Sequence, residues 1–235
     1  MSTKEHGQLL DHYRNMFEFF DEIHFNSSVT EGVYKQHLDV KSSEVISITH
    51  SQIGDNRIAR SFESQTLKLI FIGSTTIYKG FPLLKEVLQE LLHEGYKNWQ
   101  LDVWGATGAT GATGSSDCEN INFNGFYKSD ELSKIFHTDG VLVAPSVCNE
   151  TFSLITLEAL SYGIPAIVSS TVGAKDIVAQ YDPWFIFSDK AQLKERLKTI
   201  LTDRSTLQNF NQAIMQQTWQ HSIEEHAQKV INLYK

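Results

Sequence analysis

Apolar residues recur along this chain in two rhythms. In the first fifth, Leu9, Leu10, Tyr13, Phe17 and Phe20 follow helical spacing and predict a helix over residues 5–20. A short strand is expected from Glu22 to Asn26, then a helix capped by Ser27-Ser28 and running to about His37. Val45 to Ile48 reads as another buried strand. Residues 51–66 are polar and without period, and they read as a linker.

From Leu67 onward strands and helices alternate. Leu67–Ile72 predicts a strand ending at Gly73, and residues 81–94 a helix with Leu84, Val87, Leu88, Leu91 and Leu92 on one face. Further strands are expected at Leu101–Trp104, Ile121–Phe123, Val141–Ala144, Ile164–Ser169 and Trp184–Phe187. Between them, Ser129 is expected to cap a helix carrying Leu132, Ile135 and Phe136, and another helix runs from about Phe152 to Tyr162. Helices dominate after Lys190, and the last opens on Ser222-Ile-Glu-Glu225, a capping-box pattern. This alternation predicts an α/β fold, a Rossmann-like parallel sheet with helices on both faces. Ligands of such sheets sit outside the carboxyl ends of the strands, which makes the strand-to-helix loops the informative positions.

Composition narrows the function classes. The 235 residues are 41% hydrophobic and 20% charged, with a formal net charge of −8 and no Lys/Arg-rich run. That excludes the basic face of a general nucleic-acid binder, while leaving room for an anion at a helix N-terminus. Cys118 and Cys148 are too few for a disulfide scaffold and lack metal-ligand spacing. There is no run of about 18 apolar residues and no signal-peptide core, so a cytoplasmic protein is expected, with room for peripheral association with a membrane or a partner protein.

One motif invites a different reading. Residues 105–114, GATGATGATG, follow a strand and resemble the glycine-rich turn of nicotinamide-dependent reductases. A cofactor fingerprint needs a helix directly after the glycines to face the pyrophosphate. Here Ser115-Ser-Asp-Cys-Glu-Asn120 follows, without apolar periodicity, and the chain has no Tyr-x-x-x-Lys pair. A three-residue repeat is better read as low complexity.

Four other loops carry the chemistry. Gly73-Ser74 through Lys79-Gly80 follows the first strand of the alternating region, and offers close backbone approach plus a cation for a phosphate. Asn124-Gly125-Phe126-Tyr127 supplies a turn with aromatics able to flank a flat ring, although core packing explains them equally. In the third loop Glu150 precedes a helix and Glu158 lies two turns along it, while amides near Phe152, Ser153 and Leu154 point out of the helix start and favour an anion. Glu158 sits inside the apolar run Leu157–Leu160, so a buried carboxylate there needs a partner. The fourth loop, Ser169 to Gly173-Ala174, is built of small residues that allow close approach. His24, His50 and His137 read as structural or surface residues.

The stretches FIGSTTIYKG, NFNGFYKSDELSKIF, VLVAPSVCNETFSLITLEALSYGIPAIVSS and TVGAKDIV resemble the C-terminal, donor-binding domain of family-4-like (group 1) retaining glycosyltransferases of the GT-B fold. That resemblance implies a nucleoside diphosphate sugar as donor substrate, no cofactor or metal, and a saccharide, lipid or protein acceptor. It makes Glu150 the contact to the donor sugar, Glu158 the contact to the ribose hydroxyls, and Lys79 the contact to the diphosphate. Glu150 and Lys79 thus become the catalytic pair, with Gly73, Ser74, Gly125, Phe126, Thr151, Phe152, Ser153, Leu154 and Gly173 completing the donor site. It also implies that residues 1–50 are the tail end of an acceptor domain, 51–66 a linker, 67–220 the nucleotide-sugar domain and 221–235 a helix crossing back. Two positions depart from the pattern: Ser74 where an arginine is usual, and Ser153 where glycine is common. Lys175, Arg57 and Arg60 are candidates for the missing charge, and a non-catalytic binding module working with a partner chain is the alternative reading.

Overall fold

The computed structural model describes residues 3–105 and 119–234. Most of the GATGATGATG repeat, and Cys118 with it, lies outside the described residues. The first rhythm builds a small unit: α1 (Thr3–Phe17), β1 (Ile23–Phe25), α2 (Ser28–His37) and β2 (Ser43–Val45), with β1 and β2 paired in parallel. Ser27 caps α2 as expected, its Oγ accepting from the Thr30 amide. The second strand starts earlier than predicted, because Phe25 stands opposite Val45 and the ladder ends one bond later, at Ile46.

The second rhythm builds β3 (Leu67–Ile72), α3 (Phe81–His93), β4 (Trp99–Trp104), β5 (Ile121–Gly125), α4 (Leu132–Ile135), β6 (Gly140–Ala144), α5 (Leu154–Ser161), β7 (Ala166–Ser169), α6 (Lys175–Tyr181), β8 (Ile186–Phe187), α7 (Lys190–Thr202), α8 (Ser205–Gln216) and α9 (Ile223–Leu233). All six strands of the large sheet run parallel, in the order β5-β4-β3-β6-β7-β8. Runs such as Leu67–Ile72 and Ala166–Ser169 are nearly continuous in apolar character because both faces of a parallel strand are covered. The chain moves outward from β3 to β4 and β5, then jumps to β6 and proceeds the other way. Right-handed crossovers therefore place α3 on one face and α5 and α6 on the other.

Three local expectations need correction. Lys128, not Ser129, precedes the first turn before α4, and its amide donates to Glu131 Oε2 at 2.8 Å. Trp184 belongs to a 3-10 turn, Pro183–Phe185, capped by Asp182, which leaves only two residues for β8. The seven-residue helix α6 is a further element that the sequence pattern does not announce, since only Ile177 and Val178 of it are buried.

Residues 51–66 carry no helix or strand, yet they are fastened to the large sheet. Ile53 and Phe62 are buried, and the Arg60 guanidinium donates to the carbonyls of Thr138 (2.5 Å), Phe136 (2.8 Å) and Tyr162 (2.7 Å). Asn211 of α8 closes the same knot, accepting from the Arg60 amide and donating to the carbonyls of Ile58 and Gly163. The small unit meets the large one through Ser27, whose Oγ donates to the Thr151 carbonyl at 2.6 Å, and through Asp176, which accepts from Ser28 N and Oγ at 2.9 and 2.8 Å. At the other end of the chain, Thr49 donates to the His221 carbonyl, and the His226 ring lies 3.0 Å from the Ser47 carbonyl. No described helix is long and apolar enough to cross a membrane.

Candidate functional site

The strand order reverses between β3 and β6, and a crevice opens there beyond their carboxyl ends. A cavity of about 60 Å³ at this point is lined by Gly73, Lys79, Pro145, Ser146, Glu150 and Ser153, among others. Gly80 makes the arrangement: it sits at φ +72°, and a Cβ there would fall 1.7 Å from the Pro145 carbonyl oxygen. With no side chain in the way, the loop after β3 closes on the loop after β6. The Val147 amide then donates to the Tyr78 carbonyl at 3.0 Å. Lys79 is delivered to Glu150 by the same closure.

The centre of the site is an ion pair. Lys79 Nζ donates to Glu150 Oε1 at 2.7 Å, and Ser146 Oγ donates to Glu150 Oε2 at 2.5 Å. The Glu150 backbone is pinned to the fourth loop, accepting from Gly173 N at 3.0 Å and donating to the Thr171 carbonyl at 2.9 Å. The site thus holds one cation and one carboxylate whose two oxygens are both engaged. An anion entering the crevice would offer Lys79 a second partner and free one oxygen of Glu150.

Ser153 precedes α5 in the left-handed region, at φ +84° and ψ +78°. That conformation costs an L-residue about 1–2 kcal/mol. Its Oγ lies 3.0 Å from Thr156 Oγ1 instead of capping a backbone amide. The amides at the start of α5 therefore keep their outward direction, as the first amides of a helix lack partners within it.

Glu158 lies on α5, and its partner is His50, with Nε2 3.1 Å from Oε1. Tyr127 stands near the same carboxylate; burial, and then the Glu158 charge, push its phenol above the usual range.

The other expected residues are distributed less tightly. Phe152 is buried in the core, Leu154 opens α5, and Phe126 is 80% exposed. Ser74 Oγ pairs with Thr76 Oγ1 at 3.1 Å. Gly125 accepts from the Gly105 amide, which ties the loops after β4 and β5. Gly173 and Thr151 face the small unit: a Cβ on Gly173 would lie 2.3 Å from the Thr151 carbonyl and 2.5 Å from Ser27 Oγ. The proposed substitute cations are occupied elsewhere. Arg57 pairs with Asp55 and the Ile214 carbonyl, Arg60 with its three carbonyls, and Lys175 with Asp176 and Ser28. Sequence reasoning passed over His50, whose contact with Glu158 spans 108 residues and leaves no local signal. Ser146 was missed as well, and the signal that marks it is local, a hydroxyl four residues before Glu150. Among the described residues no cluster of three His, Cys, Asp or Glu side chains is placed to hold a metal ion.

Comparison with known proteins bears on this geometry. The profile of the family described as Glycosyl transferases group 1 matches residues 53–217. The chain is 30% identical over 115 residues to the sulfoquinovosyl transferase SQD2 of Arabidopsis thaliana, covering 47% of this chain and 22% of that protein. It is 29% identical over 115 residues to the uncharacterized glycosyltransferase MJ1607 of Methanocaldococcus jannaschii, covering 47% and 29%. The match thus spans under a third of each of these relatives. Among solved structures, the fold is similar to Anabaena Alr3699/HepE in complex with UDP and glucose, with a TM-score of 0.72 at 15% identity, over 99% of this chain and 68% of that one.

Proposed function

The chain belongs to the group 1 glycosyl transferases, and from that premise we propose that its β3–β6 crevice binds a nucleoside diphosphate sugar and supports transfer of the sugar to an acceptor with retention of configuration. The observation that carries this reading is the joining of Lys79 and Glu150 at the switch point of the sheet, beside the start of α5. A diphosphate entering there exchanges with Glu150 for Lys79 and takes the outward amides of α5. Negative charge grows on the diphosphate as the glycosidic bond breaks, so groups fixed in place around it lower the barrier. Glu150, still held by Ser146, turns its released oxygen to the sugar hydroxyls. Glu158 accepts from the ribose. Retention rests on the sequence resemblance around Glu150 and Glu158. The UDP and glucose bound in the HepE structure support a nucleotide sugar as ligand, and the acceptor stays open among saccharide, lipid and protein.

Calorimetric titration with UDP, GDP and ADP and their common sugars tests the reading. Saturable binding by one nucleotide is expected, weakened about tenfold or more in Lys79→Ala by loss of a charge-assisted hydrogen bond. Absence of saturable binding, or binding that ignores Lys79, would contradict it. A second reading, a non-catalytic module completed by a partner chain, is favoured by the strained Ser153 where the amides should be most accessible. Donor binding without turnover in the presence of acceptors would support it, and turnover would remove it.

A further inference from the structure

His50 is held at both ends of its ring. Its Nδ1 lies 3.2 Å from the Gln52 amide, which donates to it, so Nδ1 carries no proton in this arrangement. The proton of the neutral ring is therefore on Nε2, and Nε2 donates to Glu158 Oε1 at 3.1 Å. The turn that presents the ring is itself fixed. Ile53 N donates to the His50 carbonyl at 3.0 Å, and the Ile53 side chain is buried in the core of the large unit. Just upstream, Thr49 is tied to the His221 carbonyl at 2.7 Å. The carboxylate is 15% exposed and the imidazole 33%, so the contact is partly shielded from solvent. Among the described residues, Glu158 Oε1 takes this one side-chain hydrogen bond, while Oε2 takes none.

We infer that His50 is a positioning residue: it fixes one oxygen of Glu158 so that the other is presented to the ribose of the nucleotide. The inference rests on the proposed role of Glu158 and deepens it. A glutamate side chain has staggered wells at its first torsions and a broad last one, so its carboxylate samples several orientations unless a partner holds it. A neutral donor suits this task better than a lysine, because it orients the carboxylate without supplying a competing full charge. The consequence is specific: ribose recognition by the large unit depends on a side chain contributed where residues 1–50 join it.

The test compares UDP, GDP and ADP with their 2′,3′-dideoxy forms, using calorimetry on the whole chain and on His50→Leu, His50→Gln and Glu158→Gln. The ratio of dissociation constants for the dideoxy and ribose forms is the readout, since a merely structural defect weakens both ligands alike. In the unaltered chain that ratio should favour ribose by about tenfold or more, the scale of a hydrogen bond to a charged group. His50→Leu should bring the ratio close to one, as Glu158→Gln does, and His50→Gln should restore most of it because the glutamine amide donates at a similar reach. Combining His50→Leu with Glu158→Gln should give no further loss. A ratio in a folded His50→Leu equal to that of the unaltered chain, while Glu158→Gln abolishes it, would overturn the inference and leave the role of Glu158 standing. The same ratio in His50→Gln and His50→Leu would likewise overturn it. If Glu158→Gln does not change the ratio, or no nucleotide binds, the reading of the site itself fails and the role of His50 falls with it.

Discussion

The six-stranded sheet completely buries Leu69, Leu101, Val141 and Ala166, whereas the two-stranded sheet, built from the same parallel βαβ unit, buries only Phe25 among its strand residues. A fully buried Leu or Val contributes about 1.5–3 kcal/mol, so the large unit holds itself together by its core. A parallel pair with α2 on one side has no such resource: α2 buries no residue at all, and Phe19 is 85% exposed. Beyond a small cluster of Phe17, Phe25 and Tyr34, it is held by polar attachments to the large unit, at Thr151, Asp176 and His221. One of these attachments, at Thr151, falls next to Glu150 in the loop after β6. The proposed site therefore lies on the well-buried large sheet, while the small unit is fastened to it by hydrogen bonds of modest strength.

The comparison can be broken most severely at Arg60. Replacing it with alanine leaves three carbonyls of the large unit without their donor, and urea unfolding should show a loss of about 3–4 kcal/mol. A loss below 1 kcal/mol would mean that the segment from 51 to 66 is only loosely laid on the sheet.

A second break comes from acid. Burial, helped by the nearby charges of Lys229 and Arg57, lowers His221 to about 4. The unfolded chain then takes up a proton near pH 6.5 that the folded chain refuses until about pH 4. Stability is therefore complete above pH 6.5 and is lost as pH falls toward 4, by up to about 3 kcal/mol. His221→Gln should flatten this slope in denaturation curves measured between pH 4 and 7. Asp176 acts lower on the scale. Burial raises it, but hydrogen bonds from Lys175 and Ser28 outweigh that and hold it below the ordinary carboxylate value, so its contribution disappears only as pH falls through that depressed range.

Ser27→Ala sharpens the contrast. It removes both the cap of α2 and the bond to the Thr151 carbonyl, worth about 1–2 kcal/mol together. Amide exchange in α2 and β1 should quicken while β3 and β6 stay unchanged; equal acceleration everywhere would show one cooperative unit instead of two. The smallest effect is expected at Ser153→Gly, which relieves the left-handed strain at φ +84° and should stabilise the chain by about 1 kcal/mol in thermal unfolding.

Much of the large sheet was legible because buried parallel strands are written as apolar runs, as at Leu67–Ile72 and Gly140–Ala144. The helix α6 was not, since two buried residues make no period. Lys79, Glu150 and Ser153 could be read as one site from their places in loops after β3 and β6, and the three line one cavity. The need of Glu158 for a partner was also legible from its apolar surroundings. The identity of that partner was not, because His50 stands in a polar stretch and reaches Glu158 only once the chain has folded. Arg60 was misread for a related reason: its three carbonyl partners come from three separate segments, so nothing near it in sequence marks it as buried.

Whether the ligand is held by the large sheet is decided most directly by hydrogen exchange with and without saturating UDP, GDP or ADP. One of them should protect amides in residues 73–80 and 146–158 and leave the apolar groove between Leu10, Tyr13 and Tyr34 unchanged. Protection confined to α1 and α2, or no protection with any of the three, would contradict a nucleotide site at the β3–β6 crevice.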